Sequence, residues 1–141
     1  MKVKEHIIEN ALKARMSYKN DPIDLMTKLG GFEIVAMAGA MLEAGRQRIP
    51  IILDGFICTV SAIIATKMNR RASDYMIAGH LSAEPGHRAA LRYLGKQPLL
   101  ELNMRLGEGT GAAIAYPIVE AATKMVSEMA TFAEAGVSEK K

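Results

Sequence analysis

Two short apolar runs, separated by a segment of helical character, constrain the fold of this chain more than any other feature. The first run, Ile49 to Gly55, is continuously apolar until it ends in an acid and a glycine, and the second, Tyr75 to His80, is of the same style. A strand that is buried on both faces of a parallel sheet has this pattern. Residues 57–68, which contain alanines and isoleucines, predict a helix between the runs. The order strand, helix, strand predicts an α/β fold with a parallel sheet of few strands and right-handed crossovers.

Apolar residues at helical spacing predict further helices along the chain. These helices are expected over residues 4–17, 22–29, 32–45, 87–94 and from 112 to about 132. Asp21 and Pro22 favour the start of the second of them, as cap and first helical residue. The last helix carries an apolar stripe that comprises Ile114, Ile118, Ala122, Met125 and Met129. The segment Leu99 to Leu102 leaves two alternatives open, a third strand or a short helical turn.

Composition excludes several classes of protein. The 141 residues are half hydrophobic and 23% charged, which fits one globular domain and excludes disorder over most of the chain. The single cysteine, Cys58, rules out a disulfide framework and fits a reducing cytosol. On the evidence of this thiol we expect a cytoplasmic protein. No apolar run is long enough for a membrane helix, so we expect no membrane partner. A net charge of +3 and the lack of tryptophan argue against a nucleic-acid partner.

The helices carry more apolar surface than a thin sheet can cover. The chain has ten methionines, and only two or three strands are expected. We therefore infer that the chain packs on a partner chain or is part of a larger enzyme. Within the chain, residues 1–25 are expected to form an N-terminal helical segment and residues 26–141 the α/β segment.

Three segments are expected at the edge of the sheet where ligands bind. In an open parallel sheet, ligands lie outside the carboxyl ends of the strands. The segments there are Asp54 to Phe56, His80 to His87 and Arg105 to Gly111. The last has three glycines at alternate positions before a helix, where backbone N–H groups and the helix dipole favour an anion such as phosphate. A flexible helix start with Thr110 as its cap is the alternative.

Glu108 is the candidate catalytic residue of the last segment. It lies between two glycines, so its carboxylate is poorly shielded and points from a mobile turn. A bound phosphate would repel it, so it should face another part of a ligand, where a proton-accepting role fits. Asp54 is either functional or the cap of the helix that follows it. The spacing of His80 and His87 matches no zinc motif, so we expect each to be a surface or hydrogen-bonding histidine and expect no metal.

Several blocks of the chain resemble one family of enzymes. They occur in the family's order and together cover nearly the whole chain. The blocks are Gly30 to Ile34, Ile51 to Phe56 (IILDGF), Ser82 to His87 (SAEPGH), Arg105 to Gly111 (RLGEGTG) and Glu128 to Val137. The chain is similar to the nicotinate-nucleotide–dimethylbenzimidazole phosphoribosyltransferase family of cobalamin lower-ligand synthesis. It resembles the C-terminal portion of family members, which are longer and have a parallel α/β sheet with a smaller helical domain.

The resemblance implies an activity and a set of site residues. The implied reaction moves a phosphoribosyl group from nicotinate mononucleotide to 5,6-dimethylbenzimidazole, without a cofactor, and yields α-ribazole 5′-phosphate and nicotinate. Glu108 is implied to be the general base that takes a proton from the benzimidazole. The implied substrate-binding residues are Glu33, Gly55, Ser82, Gly107, Gly109, Thr110, Gly111 and Lys4.

The resemblance also implies that the chain works with further protein. Family members are homodimers, and they carry an N-terminal portion that this sequence does not match. We therefore expect a homodimer, or a fragment or subunit that needs a companion chain. The alternative is a catalytically inactive module that retains nucleotide binding or dimerisation.

Overall fold

The computed structural model describes residues 2–15, 21–105 and 107–137 of the chain. The helices in these residues are α1 Lys2–Arg15, α2 Pro22–Leu29, α3 Phe32–Arg46, α4 Phe56–Met68, α5 His87–Leu94 and α6 Thr110–Glu128. The strands are β1 Ile51–Leu53 and β2 Met76–Ala78, and a 3₁₀ helix, Arg70–Tyr75, precedes β2. No helix in this part of the chain is long and apolar enough to cross a membrane.

The two strands lie side by side and run parallel. Ile51 is opposite Met76, and Leu53 is opposite Ala78. α4 and the 3₁₀ helix connect the end of β1 to the start of β2. The expected fold class is therefore confirmed, since the chain has a small parallel sheet with helices packed around it.

For Leu99 to Leu102, the sequence left a strand and a helical turn as alternatives. In the structure this segment lies beside the residues that follow β2. The Leu100 N–H donates to the Gly79 carbonyl at 3.1 Å, and the Leu81 N–H donates to the Leu100 carbonyl at 2.8 Å. These bonds make one parallel bridge, between His80 and Leu100, rather than a regular strand. The bridge fixes the start of the loop that follows β2.

The main core lies between α3, α4, the 3₁₀ helix and the sheet. Its buried residues are Ala38, Met41, Leu53, Ala62, Ile64, Ala65, Ala72 and Met76. Half of them are alanines, which lets the helices approach one another closely. Burial of a larger side chain such as Ile64 contributes about 1.5–3 kcal/mol of hydrophobic stabilisation. This core supports the C-terminal end of β1 and the start of α4, and the first site residues lie between them.

Two helix ends agree closely with the local signals, whereas the end of α6 does not. The Asp21 side chain caps α2, because its Oδ1 accepts a hydrogen bond from the Ile23 N–H at 2.9 Å. α5 covers the expected residues, and Gly95 ends it in the left-handed conformation with φ 65°. α6 ends at Glu128, earlier than expected. Residues 16 and 17, expected at the end of the first helix, lie outside the described residues.

The apolar stripe of α6 is exposed in this chain. Only Gly111 and Ala115 are buried within α6, near its start. The stripe residues Ile114, Ile118, Met125 and Met129 are 43–63% exposed. The expectation that further protein covers such surface stays a prediction. The expected division of the chain at residue 25 also stays a prediction, and that residue lies within α2.

Candidate functional site

A cavity of about 630 Å³ lies at the carboxyl ends of β1 and β2. Its walls come from the loops that follow β1, follow β2 and precede α6. Five of the nine site residues that the resemblance implies line it, namely Gly55, Ser82, Gly107, Glu108 and Gly109, and so do Asp54 and His80. The cavity therefore occupies the edge of the sheet at which a ligand is expected.

Asp54 connects the end of β1 to the start of α6. Its Oδ2 accepts a hydrogen bond from the Gly109 N–H, and its Oδ1 accepts one from the Ala112 N–H, both at 3.0 Å. Of the two alternatives for Asp54, the one in which it caps the next helix is therefore wrong, because α4 has no side-chain cap and Asp54 caps α6 instead. Thr110 is not the cap either, since it is the first residue of α6 and Gly109 precedes it as N-cap.

This cap changes the expectation of an anion site at α6. The amides of Gly109 and Ala112 already hold a carboxylate, which satisfies them and occupies the positive end of the helix dipole. A phosphate at the same amides would meet the negative charge of Asp54. The start of α6 is therefore a poor place for a second anion.

Glu108 lies on the rim of the cavity in a rare backbone conformation. Its φ is 44°, which places a non-glycine residue in the left-handed region at a cost on the order of 1 kcal/mol. A hydrogen bond of 2.7 Å from the Thr110 N–H to the Gly107 carbonyl closes the turn around it. The side chain is exposed, and no residue in the described part of the chain forms a hydrogen bond or ion pair with its carboxylate. The carboxylate is thus accessible to a ligand in the cavity.

A buried hydrogen-bond chain through His87 joins the loops after the two strands. The Ser82 N–H donates to His87 Nδ1 at 2.9 Å, so the neutral ring carries its proton on Nε2. His87 Nε2 then donates to Thr59 Oγ1 at 2.8 Å, and that hydroxyl donates to the Gly55 carbonyl at 2.9 Å. Burial lowers the pKa of His87, and the neighbouring His80 lowers it further. Of the two roles expected for it, surface or hydrogen-bonding, the hydrogen-bonding one is therefore confirmed for His87.

His80 lines the inner end of the cavity and is 2% exposed. Its Nε2 is 3.6 Å from Asp54 Oδ1, and neither ring nitrogen has a hydrogen-bond partner within the residues that the structure describes. The expectation of a surface or hydrogen-bonding histidine is therefore wrong for His80. The ring lies directly against Gly111, where a Cβ atom would overlap it. Gly111 is therefore needed to make room for His80.

An ion pair that the sequence analysis did not single out lies at the rim of the cavity. Arg105 Nε is 3.1 Å from Glu84 Oε1, and both residues line the cavity. The Ser82 hydroxyl accepts a hydrogen bond from the Glu84 N–H at 3.2 Å. The pair connects the loop after β2 to the segment before α6. Glu84 belongs to the SAEPGH block and Arg105 to the RLGEGTG block. Membership of these blocks was the signal in the sequence that could have identified the two residues.

Four of the residues implied by resemblance do not line the cavity. Glu33 is exposed in the first turn of α3, and its carboxylate folds back against Gly31. Lys4 is exposed in α1. Thr110 and Gly111 form the first residues of α6, next to the lining residue Gly109. The structure thus brings together the strand-end loops and the glycine-rich turn, and leaves Glu33 and Lys4 outside that group.

A second cavity, of about 490 Å³, lies between α2, α3 and α4. Its walls are mostly apolar, and none of the described residues that line it carries a charge. A charged nucleotide would find no partner there, whereas the cavity at the strand ends offers charged and polar groups. The described residues contain no group of three or more His, Cys, Asp or Glu side chains that could hold a metal ion.

Known proteins resemble this chain over most of its length. A family described as Phosphoribosyltransferase matches residues 1–137. A nicotinate-nucleotide–dimethylbenzimidazole phosphoribosyltransferase from Chloroflexus aurantiacus is 52% identical over 134 residues, which are 95% of this chain and 38% of that protein. The protein of the same name from Desulforamulus reducens is 49% identical over 132 residues, or 94% of this chain and 38% of that protein.

A solved structure of the same kind of enzyme also resembles this chain. The crystal structure of nicotinate-nucleotide–dimethylbenzimidazole phosphoribosyltransferase from Thermus thermophilus superposes with a TM-score of 0.84 at 47% sequence identity. The superposition covers 90% of this chain and 38% of that one. The chain therefore spans well under half the length of the relatives that it matches.

Proposed function

The chain belongs to the nicotinate-nucleotide–dimethylbenzimidazole phosphoribosyltransferase family, and from this premise we propose that it takes part in phosphoribosyl transfer. The proposed donor is nicotinate mononucleotide and the proposed acceptor is 5,6-dimethylbenzimidazole. The products are α-ribazole 5′-phosphate and nicotinate. The cavity at the ends of β1 and β2 is the proposed site.

The chemistry needs one base and accurate positioning. One nitrogen of the benzimidazole attacks C1′ of the ribose while the C1′–N bond to nicotinate breaks. The electron pair of the broken bond neutralises the pyridinium ring, and the other benzimidazole nitrogen gives its proton to the Glu108 carboxylate. Because the cationic ring is already a good leaving group, orientation of the two substrates and a single base suffice.

The single observation that supports this mechanism best is the state of Glu108. Its carboxylate is exposed on the cavity rim and has no hydrogen-bond or ion-pair partner among the residues described. A general base has to be free to take up a proton and within reach of its substrate, and an ion pair in the core would make a carboxylate less basic and take it out of reach. The other candidate carboxylate, Asp54, accepts two backbone hydrogen bonds and is engaged.

The neighbouring residues have supporting roles in this proposal. Gly55 allows close approach of the substrate to the start of α4, and Ser82 offers a hydroxyl to the phosphoribosyl or nicotinate part. Gly107 and Gly109, with Thr110 and Gly111 behind them, hold the turn that carries Glu108. Glu33 and Lys4, which do not line the cavity, are not part of the proposed site.

The working assembly is proposed to contain more protein than one copy of this chain. The matched relatives are longer, with 38% of their length covered, and the apolar stripe of α6 is exposed. A homodimer, or a companion chain that supplies the rest of the relatives' length, would cover this surface. The free thiol of Cys58 fits a reducing cytoplasm as the location.

A turnover assay tests the proposal. The chain, alone and with a companion chain, is supplied with nicotinate mononucleotide and 5,6-dimethylbenzimidazole, and released nicotinate and the ribotide are quantified. The expected result is equal formation of both products in at least one of the two mixtures. Calorimetry with nicotinate mononucleotide runs in parallel. Binding without product in either mixture contradicts transfer and favours the inactive nucleotide-binding module.

A further inference from the structure

We propose that Asp54 is a positioning residue, whose carboxylate holds Glu108 at the cavity from the end of β1. The inference rests on the proposed role of Glu108 as the base. The segment concerned is the Glu108 turn, defined as Gly107 to Thr110. Asp54 and this turn are distant in sequence, so only the fold brings them together.

The contacts of Asp54 are directed at the residues on either side of the helix start. Asp54 Oδ2 accepts from the Gly109 N–H, which is the peptide group directly after Glu108, and Oδ1 accepts from the Ala112 N–H, in the first turn of α6. The Asp54 side chain is 15% exposed. Hydrogen bonds to a charged acceptor that is shielded from water are among the stronger ones in proteins. The carboxylate therefore connects the Glu108 turn and α6 to the sheet at two points.

The backbone of Glu108 makes such a connection necessary. Glu108 has φ 44° and Gly109 has φ 93°, so two consecutive residues adopt left-handed conformations. For Glu108 this conformation is unfavourable, and a free turn would leave it for an extended or helical one. The bond from Asp54 to the Gly109 N–H fixes the peptide group between these two residues. Without it, the Glu108 carboxylate would point in many directions.

Packing around Asp54 keeps its carboxylate in place. Asp54 directly follows the buried residue Leu53 of β1, and its Oδ1 faces the ring of His80 at 3.6 Å. His80 in turn fills the space left by Gly111. Asp54 is therefore held between the sheet, His80 and the start of α6. A group held in this way has little conformational freedom to lose when it orients another residue.

The unaltered chain provides a first test that needs no substitution and no activity. Ala112 and Ile34 are the third residues of α6 and α3, but α3 has no side-chain cap. We expect the Ala112 amide to exchange with deuterium about 10- to 100-fold more slowly than the Ile34 amide, relative to their intrinsic rates. Gly109, although exposed, should also be protected. Exchange at intrinsic rates for both Gly109 and Ala112 would overturn the proposal.

The variant Asp54→Asn tests the same bonds by removing one acceptor at nearly constant volume. Its amide oxygen can accept from one N–H, but its NH₂ group faces the other donor. We expect faster exchange of the Gly109 and Ala112 amides and a shift of the Glu108 backbone chemical shifts away from those of a positive φ. Asp74→Asn, which removes an exposed carboxylate from the 3₁₀ helix, serves as the control and should change neither.

Kinetic measurements then distinguish a positioning role of Asp54 from a role in the stability of the fold alone. In the transfer assay, Asp54→Asn should lower kcat at least tenfold with little change in KM for nicotinate mononucleotide, while circular dichroism stays native. Altered exchange with an unchanged kcat would overturn the proposal, and so would unchanged Glu108 chemical shifts. If the unaltered chain shows no turnover in any mixture, the proposed function fails, and the exchange and chemical-shift data still decide whether Asp54 holds the Glu108 turn.

Discussion

Replacement of Thr59 by valine removes one hydroxyl from the buried chain that joins the two strand-end loops. Thr59 is fully buried in α4, and its Oγ1 accepts from His87 Nε2 and donates to the Gly55 carbonyl. Valine has nearly the same shape and leaves no cavity. The change therefore isolates the hydrogen bonds from hydrophobic burial.

The magnitude follows from the groups that lose a partner. The Gly55 carbonyl keeps the bond of 3.0 Å that it accepts from the Thr59 backbone N–H. The His87 Nε2–H loses its acceptor, and an unsatisfied buried donor costs about 1–3 kcal/mol. We expect Thr59→Val to lower the free energy of unfolding by about that amount. Thr59→Ser, which keeps the hydroxyl, should lose only about 1 kcal/mol for its missing methyl group.

Thr66, in the same helix, provides the matched control. Its Oγ1 is buried and has no hydrogen-bond partner among the residues described. Thr66→Val should therefore leave stability unchanged or raise it, because it removes a polar group that was buried without compensation. Urea unfolding followed by circular dichroism measures both variants. Equal stabilities of Thr59→Val and Thr66→Val would refute the assigned role of the His87 hydrogen-bond chain.

Two further predictions concern the same region. Burial lowers the pKa of His87 from its ordinary value of 6.5. Just below pH 6.5, the His87 ring therefore binds a proton in the unfolded chain more readily than in the native one. The free energy of unfolding should therefore fall as the pH drops below about 6.5, and His87→Gln should show a smaller slope in urea unfolding across that range. Gly111→Ala should cost about 1–3 kcal/mol in thermal unfolding, because its methyl group overlaps the His80 ring. Gly39→Ala, with open space around the new methyl group, should instead stabilise the chain, and similar melting temperatures for the two would contradict this account.

Local signals in the sequence predicted the elements of the fold well. The apolar runs that became β1 and β2 are short and continuous, and a strand buried within a parallel sheet needs just that pattern. Asp21 and Gly95 mark helix ends through bonds to residues close by in the chain, so their roles are readable from sequence. The apolar stripe of α6 was also evident, but its exposure depends on which surfaces are nearby, and periodicity carries no such information.

The candidate site was predictable in its parts and not in its connections. Glu108 and the glycines around it stand out by residue type, and the loops at the strand ends follow from the topology rule. The bonds of Asp54 to Gly109 and Ala112 span 55 and 58 residues, and no local pattern indicates them. The alternative with Thr110 as cap was wrong for the same reason, because a carboxylate from the residue after β1 supplies the cap that a local hydroxyl would otherwise provide.

The rate of nicotinate release by Glu108→Gln tests the central claim most directly. Glutamine keeps the shape of the side chain but cannot accept the benzimidazole proton, so kcat should fall by about 10²- to 10⁴-fold while nicotinate mononucleotide still binds. Glu128→Gln, at the far end of α6 and outside the cavity lining, should release nicotinate at the rate of the unaltered chain. A Glu108→Gln variant that turns over as fast as the unaltered chain would contradict the account.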